Sequence, residues 1–187
     1  LNAIQATGWF SDVRINPVNG PLGVQVVVQV EPFPTLSRVE LDPVSEELPE
    51  AVVEEIFSPD YGRTLNLNDL QKRMKDLQAW YAGQGYSLAR ISGPERVSPE
   101  GVVTLKLVQG SVAGVEVEFL NSEGTSTDEN GDPIRGKTKE WVINREISVQ
   151  PGDTFNRNKL EKDIKRLYGT QLFSDVKVTL RPVPAQP

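Results

Sequence analysis

The sequence predicts an α+β fold made of tandem β-α-α-β-β units, and three observations predict it. The first is a nine-residue pattern, G-x-T-[LF]-N-x-N-x-L, found at 62–70 and again at 152–160. The second is a partial third copy near the N-terminus: Phe10-Ser11-Asp12-Val13 returns as Phe173-Ser174-Asp175-Val176, and Pro21-Leu22-Gly23-Val24 is matched by Pro99-Glu100-Gly101-Val102. The third is the hydrophobic spacing, which alternates between helical stripes and period-two runs within a unit. Repetition at a fixed spacing sets an architecture before any single residue is interpreted.

The complete copy can be read element by element. Leu36, Val39 and Leu41 supply a short, imperfectly alternating strand. A helix follows from Ser45-Glu46-Glu47-Leu48-Pro49-Glu50, with proline suited to a first turn and acidic residues at the positive end of the dipole. Val52, Val53, Ile56 and Phe57 give it one apolar face, and Pro59 and Gly62 end it. A second helix opens inside the repeated pattern. Asn66 is its expected N-cap and Leu65 packs on Leu70 as a hydrophobic staple; Phe155, Asn156 and Leu160 reproduce that arrangement. The repeated pattern is thereby explained as a helix-entry signal. Leu70, Met74, Leu77 and Tyr81 continue the buried stripe until Gly83 and Gly85 stop the helix. Two strands follow, at 86–91 and 101–109, separated by a turn containing Gly93, Pro94, Ser98 and Pro99. The result is a three-stranded mixed sheet covered on one face by two antiparallel helices.

The repeats divide the chain into the C-terminal part of one unit (1–33), a complete unit (34–110) and a third (111–187) whose last strand is not recognisable. Further sequence is expected on both sides. Each unit, at roughly 75 residues, lies near the lower limit for a self-sufficient core. The net charge of −6 opposes a phosphate-binding surface, so no nucleic-acid partner is expected. No apolar run approaches a helical membrane span.

With no His and no Cys, the Ser-His and Cys-His nucleophile systems and the usual zinc sites are not available, and no enzyme and no cofactor are expected. The stretch Asp128-Glu129-Asn130-Gly131-Asp132 is superficially like a calcium loop. Its required glycine position is Pro133 and its twelfth position is Lys139, so a solvated turn is the better reading and no metal is expected.

At the helix-to-strand corner stands Leu77-x-x-Trp80-Tyr81-x-x-x-Gly85-Tyr86, and Val108-Gln109-Gly110-Ser111-Val112 leads directly into the next first strand, Val115-Glu116-Val117. Together with the element order and the tandem repetition, these resemble POTRA (polypeptide-transport-associated) repeats. Such repeats belong to outer-membrane β-barrel assembly and translocation proteins of the BamA/Sam/Toc type, and a cyanobacterial or plastid form fits the insertion described below. The resemblance implies a docking module on the periplasmic face of the outer membrane, or in the intermembrane space of a plastid. Its implied partners are unfolded or nascent outer-membrane or translocated proteins, the protein's own C-terminal β-barrel, and accessory subunits.

The resemblance also implies that the second strand of each unit is a sheet edge that pairs with extended polypeptide. The residues carried over are Tyr86, Ser87, Leu88, Ala89, Arg90 and Ile91, and in the last unit Asp175, Val176, Lys177, Val178, Thr179 and Leu180. Leu88 and Ile91 read equally well as core. The corner of the last unit, Tyr168-Gly169-Thr170-Gln171, is about one helical turn shorter and lacks the Gly-Tyr pair.

The connections between units are short. Pro32, Phe33 and Pro34 form the first seam, stiffened by its prolines, with Phe33 expected to plug it; Gly110 belongs to the second. Between the third unit's first strand and first helix lies a polar insertion, 121–137, absent from the second unit. A loop this long without structure of its own is either functional or disordered. Two functions stay open: a substrate-docking platform, and a structural spacer or interaction arm of another secretion or division system.

Overall fold

The computed structural model describes residues 2–21 and 23–183. Leu1, Leu22 and residues 184–187 lie outside the described residues. Two compact units result, the first from Leu1–Tyr81 and Ala89–Val108, the second from Ala82–Leu88 and Gln109–Pro187.

The first unit opens with a single helical turn, α1 (Asn2–Gln5), and a long antiparallel hairpin, β1 (Phe10–Gly20) and β2 (Gly23–Pro32). Its register sets Val13 opposite Val30 and Ile15 opposite Val28. The strict period of two therefore gathers Ile15, Val24, Val26, Val28 and Val30 on one face, all of them exposed.

The complete repeat follows as β3 (Arg38–Asp42), α2 (Glu50–Phe57), a 3-10 turn (Ser58–Asp60), α3 (Leu67–Gly83), β4 (Arg90–Val97) and β5 (Val102–Val108). The sheet order is β3-β5-β4, with β3 parallel and β4 antiparallel to β5. The last strand of this repeat is thus the central one, and among the described residues β4 has β5 on one side only. Leu70, Met74, Leu77 and Tyr81 of α3 are buried, as are Phe57 and the inward residues Val103, Leu105 and Leu107 of β5. This is the single core that the helical stripes predicted.

Three strand boundaries differ from the sequence reading. The first strand begins at Arg38 because Leu36 is already committed to another pairing, its amide donating to the Arg63 carbonyl at 2.8 Å. Residues 86–89 are not strand: the Ser87 amide donates to the Gly85 carbonyl at 2.9 Å, a tight turn that delays the ladder to Arg90. β4 then runs through Gly93-Pro94 with a register break between Ser92 and Arg96. The reversal falls instead at Ser98–Gly101, closed by Gly101 N–H to the Ser98 carbonyl at 2.9 Å.

The second unit contains α4 (Glu140–Asn144) and α5 (Arg157–Gly169). The strands expected at 115–117 and 175–180 do not form, and among the described residues this unit has no strand. The physical reason is visible in the first unit, where β3 and β4 pair with the central β5 and never with each other. Among the described residues of the second unit nothing pairs with either stretch. Just beyond the later stretch, the Arg181 guanidinium reaches Glu118 at 3.1 Å and Glu116 at 3.8 Å.

The insertion at 121–137 is folded on itself. Asn121 Oδ1 accepts from the Glu123 and Thr125 amides, each at 3.0 Å. A small hairpin follows, with Ile134 N–H to the Ser126 carbonyl at 2.9 Å, Asp128 N–H to the Asp132 carbonyl at 2.8 Å, and a bridge between Thr127 and Pro133. Asp128 Oδ1 closes its tip by accepting from the Asn130 and Asp132 amides, each at 2.9 Å. Side chain-to-backbone turns of this kind let a polar stretch order itself without a core.

Candidate functional site: repeat seams and strand edges

The repeated nine-residue pattern does more than start a helix. Its first half zips onto the incoming connection. In the first unit Gly62 N–H donates to the Leu36 carbonyl and Leu36 N–H to Arg63, both at 2.8 Å, while Leu65 N–H reaches the Pro34 carbonyl at 3.0 Å. In the second unit Gly152 N–H donates to Val112 and Val112 N–H to Asp153, both at 2.8 Å, and Phe155 N–H reaches the Gly110 carbonyl at 2.7 Å. Each is an isolated antiparallel bridge, Thr35 with Thr64 and Ser111 with Thr154.

The second half of the pattern grips the corner of the preceding repeat. Asn66 Oδ1 caps α3 by accepting from the Asn68 and Asp69 amides at 2.8 and 3.3 Å, and its Nδ2 donates to the Thr7 carbonyl at 2.9 Å. Asn68 Nδ2 donates to the carbonyls of Ala6 at 3.0 Å and Thr7 at 3.2 Å, and Leu67 N–H donates to the Gly8 carbonyl at 2.9 Å. Within the second unit Asn156 does the same: Oδ1 accepts from the Lys159 amide at 3.2 Å and Nδ2 donates to the Gln84 carbonyl at 3.1 Å. Arg157 N–H completes the match by donating to the Gly85 carbonyl at 2.8 Å. Capping accounts for the asparagine oxygens. It leaves out the nitrogens, which bind another repeat.

The residues expected at the seams act mainly through their backbones. Pro32 ends β2 opposite Phe10. Phe33 is half-buried and its amide donates to the Trp9 carbonyl at 3.0 Å. Pro34 and Gly110 each supply a carbonyl, as described above. Gly110 is also held close to Leu88, where an added Cβ would lie 2.6 Å from the leucine Cβ.

Of the expected edge residues, Arg90 and Ile91 lie in β4, paired with Val108 and Leu107. Tyr86, Ser87, Leu88 and Ala89 precede the strand, and Ala89 is buried. Within β4, Pro94 has no N–H to give to any neighbouring strand. In the second unit Asp175 accepts from Tyr168 Oη at 2.7 Å, and Val176 N–H donates to the same oxygen at 3.0 Å. That hydroxyl is the main reason the Asp175 carboxyl sits below its ordinary pKa. Lys177 pairs with Asp175 at 3.7 Å, Thr179 is exposed, and so are the large apolar side chains of Val178 and Leu180. One further edge was not expected from the sequence: β1 occupies in the first repeat the place that β4 has in the second. Its Phe-Ser-Asp-Val identity with 173–176 was the signal that could have found it.

Residues 35–110 match the family described as POTRA domain, ShlB-type, and residues 133–186 match the POTRA family described as surface antigen variable number repeat. Among solved structures, POTRA1-3 of the periplasmic domain of Omp85 from Anabaena is 46% identical, with a TM-score of 0.90 over 98% of this chain and 74% of that one. The N-terminal domain of Omp85 from the thermophilic cyanobacterium Thermosynechococcus elongatus is 40% identical, with a TM-score of 0.79 over 98% of this chain and 75% of that one. Outer envelope protein 80, chloroplastic, of Oryza sativa subsp. japonica is 23% identical over 98% of this chain and 26% of its own length. The chain spans about a quarter of the length of such curated relatives.

Proposed function

The chain belongs to the POTRA domains of the Omp85 family, and from that premise we propose that it is a docking segment for extended polypeptide in outer-membrane protein assembly or translocation. It works on the periplasmic face of the membrane, or in the equivalent plastid space, and hands its substrate toward a β-barrel carried elsewhere in the protein. One observation carries this reading. Among the described residues, the order β3-β5-β4 leaves the second strand of the complete repeat with a sheet neighbour on one side only. An unpaired edge recruits an extended chain through backbone bonds, with little dependence on sequence.

The geometry also sets the strength. Between the turn at Gly85–Ser87 and Pro94, β4 offers Arg90, Ile91 and Ser92. Three or four backbone bonds at about 1 kcal/mol each give roughly 3–4 kcal/mol, a dissociation constant on the order of a millimolar. Such weak, exchanging contact suits a chain that must move on, and repetition of edges along an array raises the effective affinity. In the last repeat the stretch Asp175 to Leu180, with the Val176 amide already engaged by Tyr168 Oη, would take the same role on pairing with an extended chain.

The test is NMR shift mapping of the chain with a peptide from an unfolded outer-membrane protein. The proposal expects fast-exchange shifts centred on Arg90, Ile91 and Ser92. Shifts confined elsewhere, or none at millimolar peptide, would refute edge pairing. A second reading, a spacer arm, is favoured by the seam hydrogen bonds; it predicts no peptide shifts at all.

A further inference from the structure

A corner follows the second helix of every repeat, and it has the same backbone in all three copies. Gly8, Gly85 and Gln171 all have positive φ, at 77°, 95° and 57°. Their amides donate to the residue three positions back: Gly8 to Gln5 at 3.0 Å, Gly85 to Ala82 at 3.1 Å, Gln171 to Tyr168 at 3.0 Å. The preceding threonines behave alike, Thr7 Oγ1 and Thr170 Oγ1 each donating to the carbonyl three back at 2.6 Å. Gln171 is the only non-glycine with positive φ among the described residues. Its identity is therefore not dictated by the backbone, which would prefer glycine there as well.

What separates the corners is the space in front of them. A Cβ added to Gly8 would lie 2.8 Å from Asn66 Oδ1, and one added to Gly85 would lie 2.5 Å from Asn156 Oδ1 and 2.8 Å from Asn158 Cγ. The Asn-x-Asn pair of the next repeat thus presses on a bare Cα, and it needs that closeness to reach the carbonyls of Thr7 and Gln84.

We infer that the corner glycine is the receptor for the Asn-x-Asn pair of a following repeat, and that Gln171 closes the corresponding corner of the third repeat to any partner of that kind. Glycine at this position admits a further repeat and glutamine refuses one, so the order of repeats is written into two residue types. A partner that engages the third repeat must do so by other chemistry, such as its apolar and charged stretches at 115–120 and 175–183. This inference stands independently of edge pairing.

Transplanting the third corner onto the second tests it. The full chain carrying Gly85→Gln, the full chain carrying Gly8→Gln, and Gly85→Gln combined with Asn156→Gly and Asn158→Gly are compared by amide hydrogen exchange and urea unfolding. In Gly85→Gln the Arg157 amide, donor to the Gly85 carbonyl, is expected to exchange at least tenfold faster while Leu67 is unchanged. Gly8→Gln should do the reverse. Steric refusal further requires that the factor by which glutamine lowers the folding constant shrink at least fivefold once both asparagines are glycine. A single variant that does not fold beside a folded triple variant supports the inference equally. Retained protection at Arg157 in Gly85→Gln, an equal glutamine effect in both backgrounds, or loss of folding in both, would overturn it.

Discussion

Asp163→Ala is expected to destabilise the second unit by about 3 kcal/mol, and the structure shows where that number comes from. Asp163 sits on α5 with 1% of its surface exposed. Its carboxylate accepts from Ser148 N–H at 2.8 Å, Ser148 Oγ at 2.7 Å and Val149 N–H at 3.0 Å, and pairs with the Arg166 guanidinium. Hydrogen bonds to a charged group contribute roughly 1.5–3 kcal/mol each, so three imply a gross loss near 4–9 kcal/mol. Alanine also removes the cost of burying a carboxylate, which is several kcal/mol. The orphaned Arg166 keeps 46% of its side-chain surface in water and a second acceptor, the Glu146 carbonyl at 3.0 Å, so it adds little. What remains is the cost of two amides and a hydroxyl left without their acceptor, about 3 kcal/mol. Asparagine preserves shape and one acceptor oxygen and should lose about half as much. Urea unfolding followed by circular dichroism gives the free energy, and hydrogen exchange at Ser148 and Val149 locates it. A loss under about 1 kcal/mol, or an equal loss in Arg166→Ala, would show that the buried carboxylate does not hold this segment.

Three further outcomes can be checked with the same samples. Leu77→Ala empties a fully buried position on α3 and should lower stability of the first unit by about 3–4 kcal/mol, read from its urea midpoint. Gly101→Ala places a Cβ 1.7 Å from the Thr35 carbonyl oxygen at φ 81°, so a loss above about 2 kcal/mol is expected, and an unchanged melting temperature would contradict the geometry. The Lys159 ammonium, 2.5 Å from Asp153, is the main cause holding that carboxyl below its ordinary pKa, with the Gln150 amide adding to it. A depressed folded pKa stabilises fully above the unfolded value near 3.9 and is lost as pH falls through the folded value. Asp153→Asn should therefore flatten the acid limb of the stability curve below about pH 4, and a carboxyl titrating at or above 3.9 in the folded chain would refute the assignment.

The helices could be read from the sequence because their signals are local. Leu70, Met74, Leu77 and Tyr81 lie on one face by spacing alone, and Asn66 and Asn156 announce the helix starts. The strands were less readable because a strand is defined by its neighbour. Val115-Glu116-Val117 and Asp175 to Leu180 alternate as strands should, yet nothing among the described residues pairs with them. Ser87 and Leu88 read as strand in isolation, but the positive φ of Gly85 turns the chain just before them. The asparagine nitrogens were the larger omission. A capping oxygen satisfies every local expectation of such a residue, and the nitrogen's partner lies 59 positions away for Asn66 and 72 for Asn156.

Repetition itself conceals one further correspondence. Ninety positions separate the two copies of the nine-residue pattern, and the same offset relates Arg73 on α3 to Asp163 on α5. A comparison of residue types scores that pair as a reversal of charge. In space the two do one job. Arg73 reaches back to Asp60 in the 3-10 turn, Nε to Oδ2 at 2.7 Å, and Asp163 reaches back to Ser148 and Val149; both tie the second helix to the segment that follows the first. The complete repeat places an anion in that segment and a cation on the helix. The last repeat has bare amides there, and bare amides need an acceptor, so the helix must carry the anion. Only the sign was free to change, because the polarity of the facing segment fixes it. A substitution at either position should therefore be judged against its own facing segment: Arg73→Asp leaves Asp60 beside a second carboxylate, and Asp163→Arg leaves two amides facing a donor.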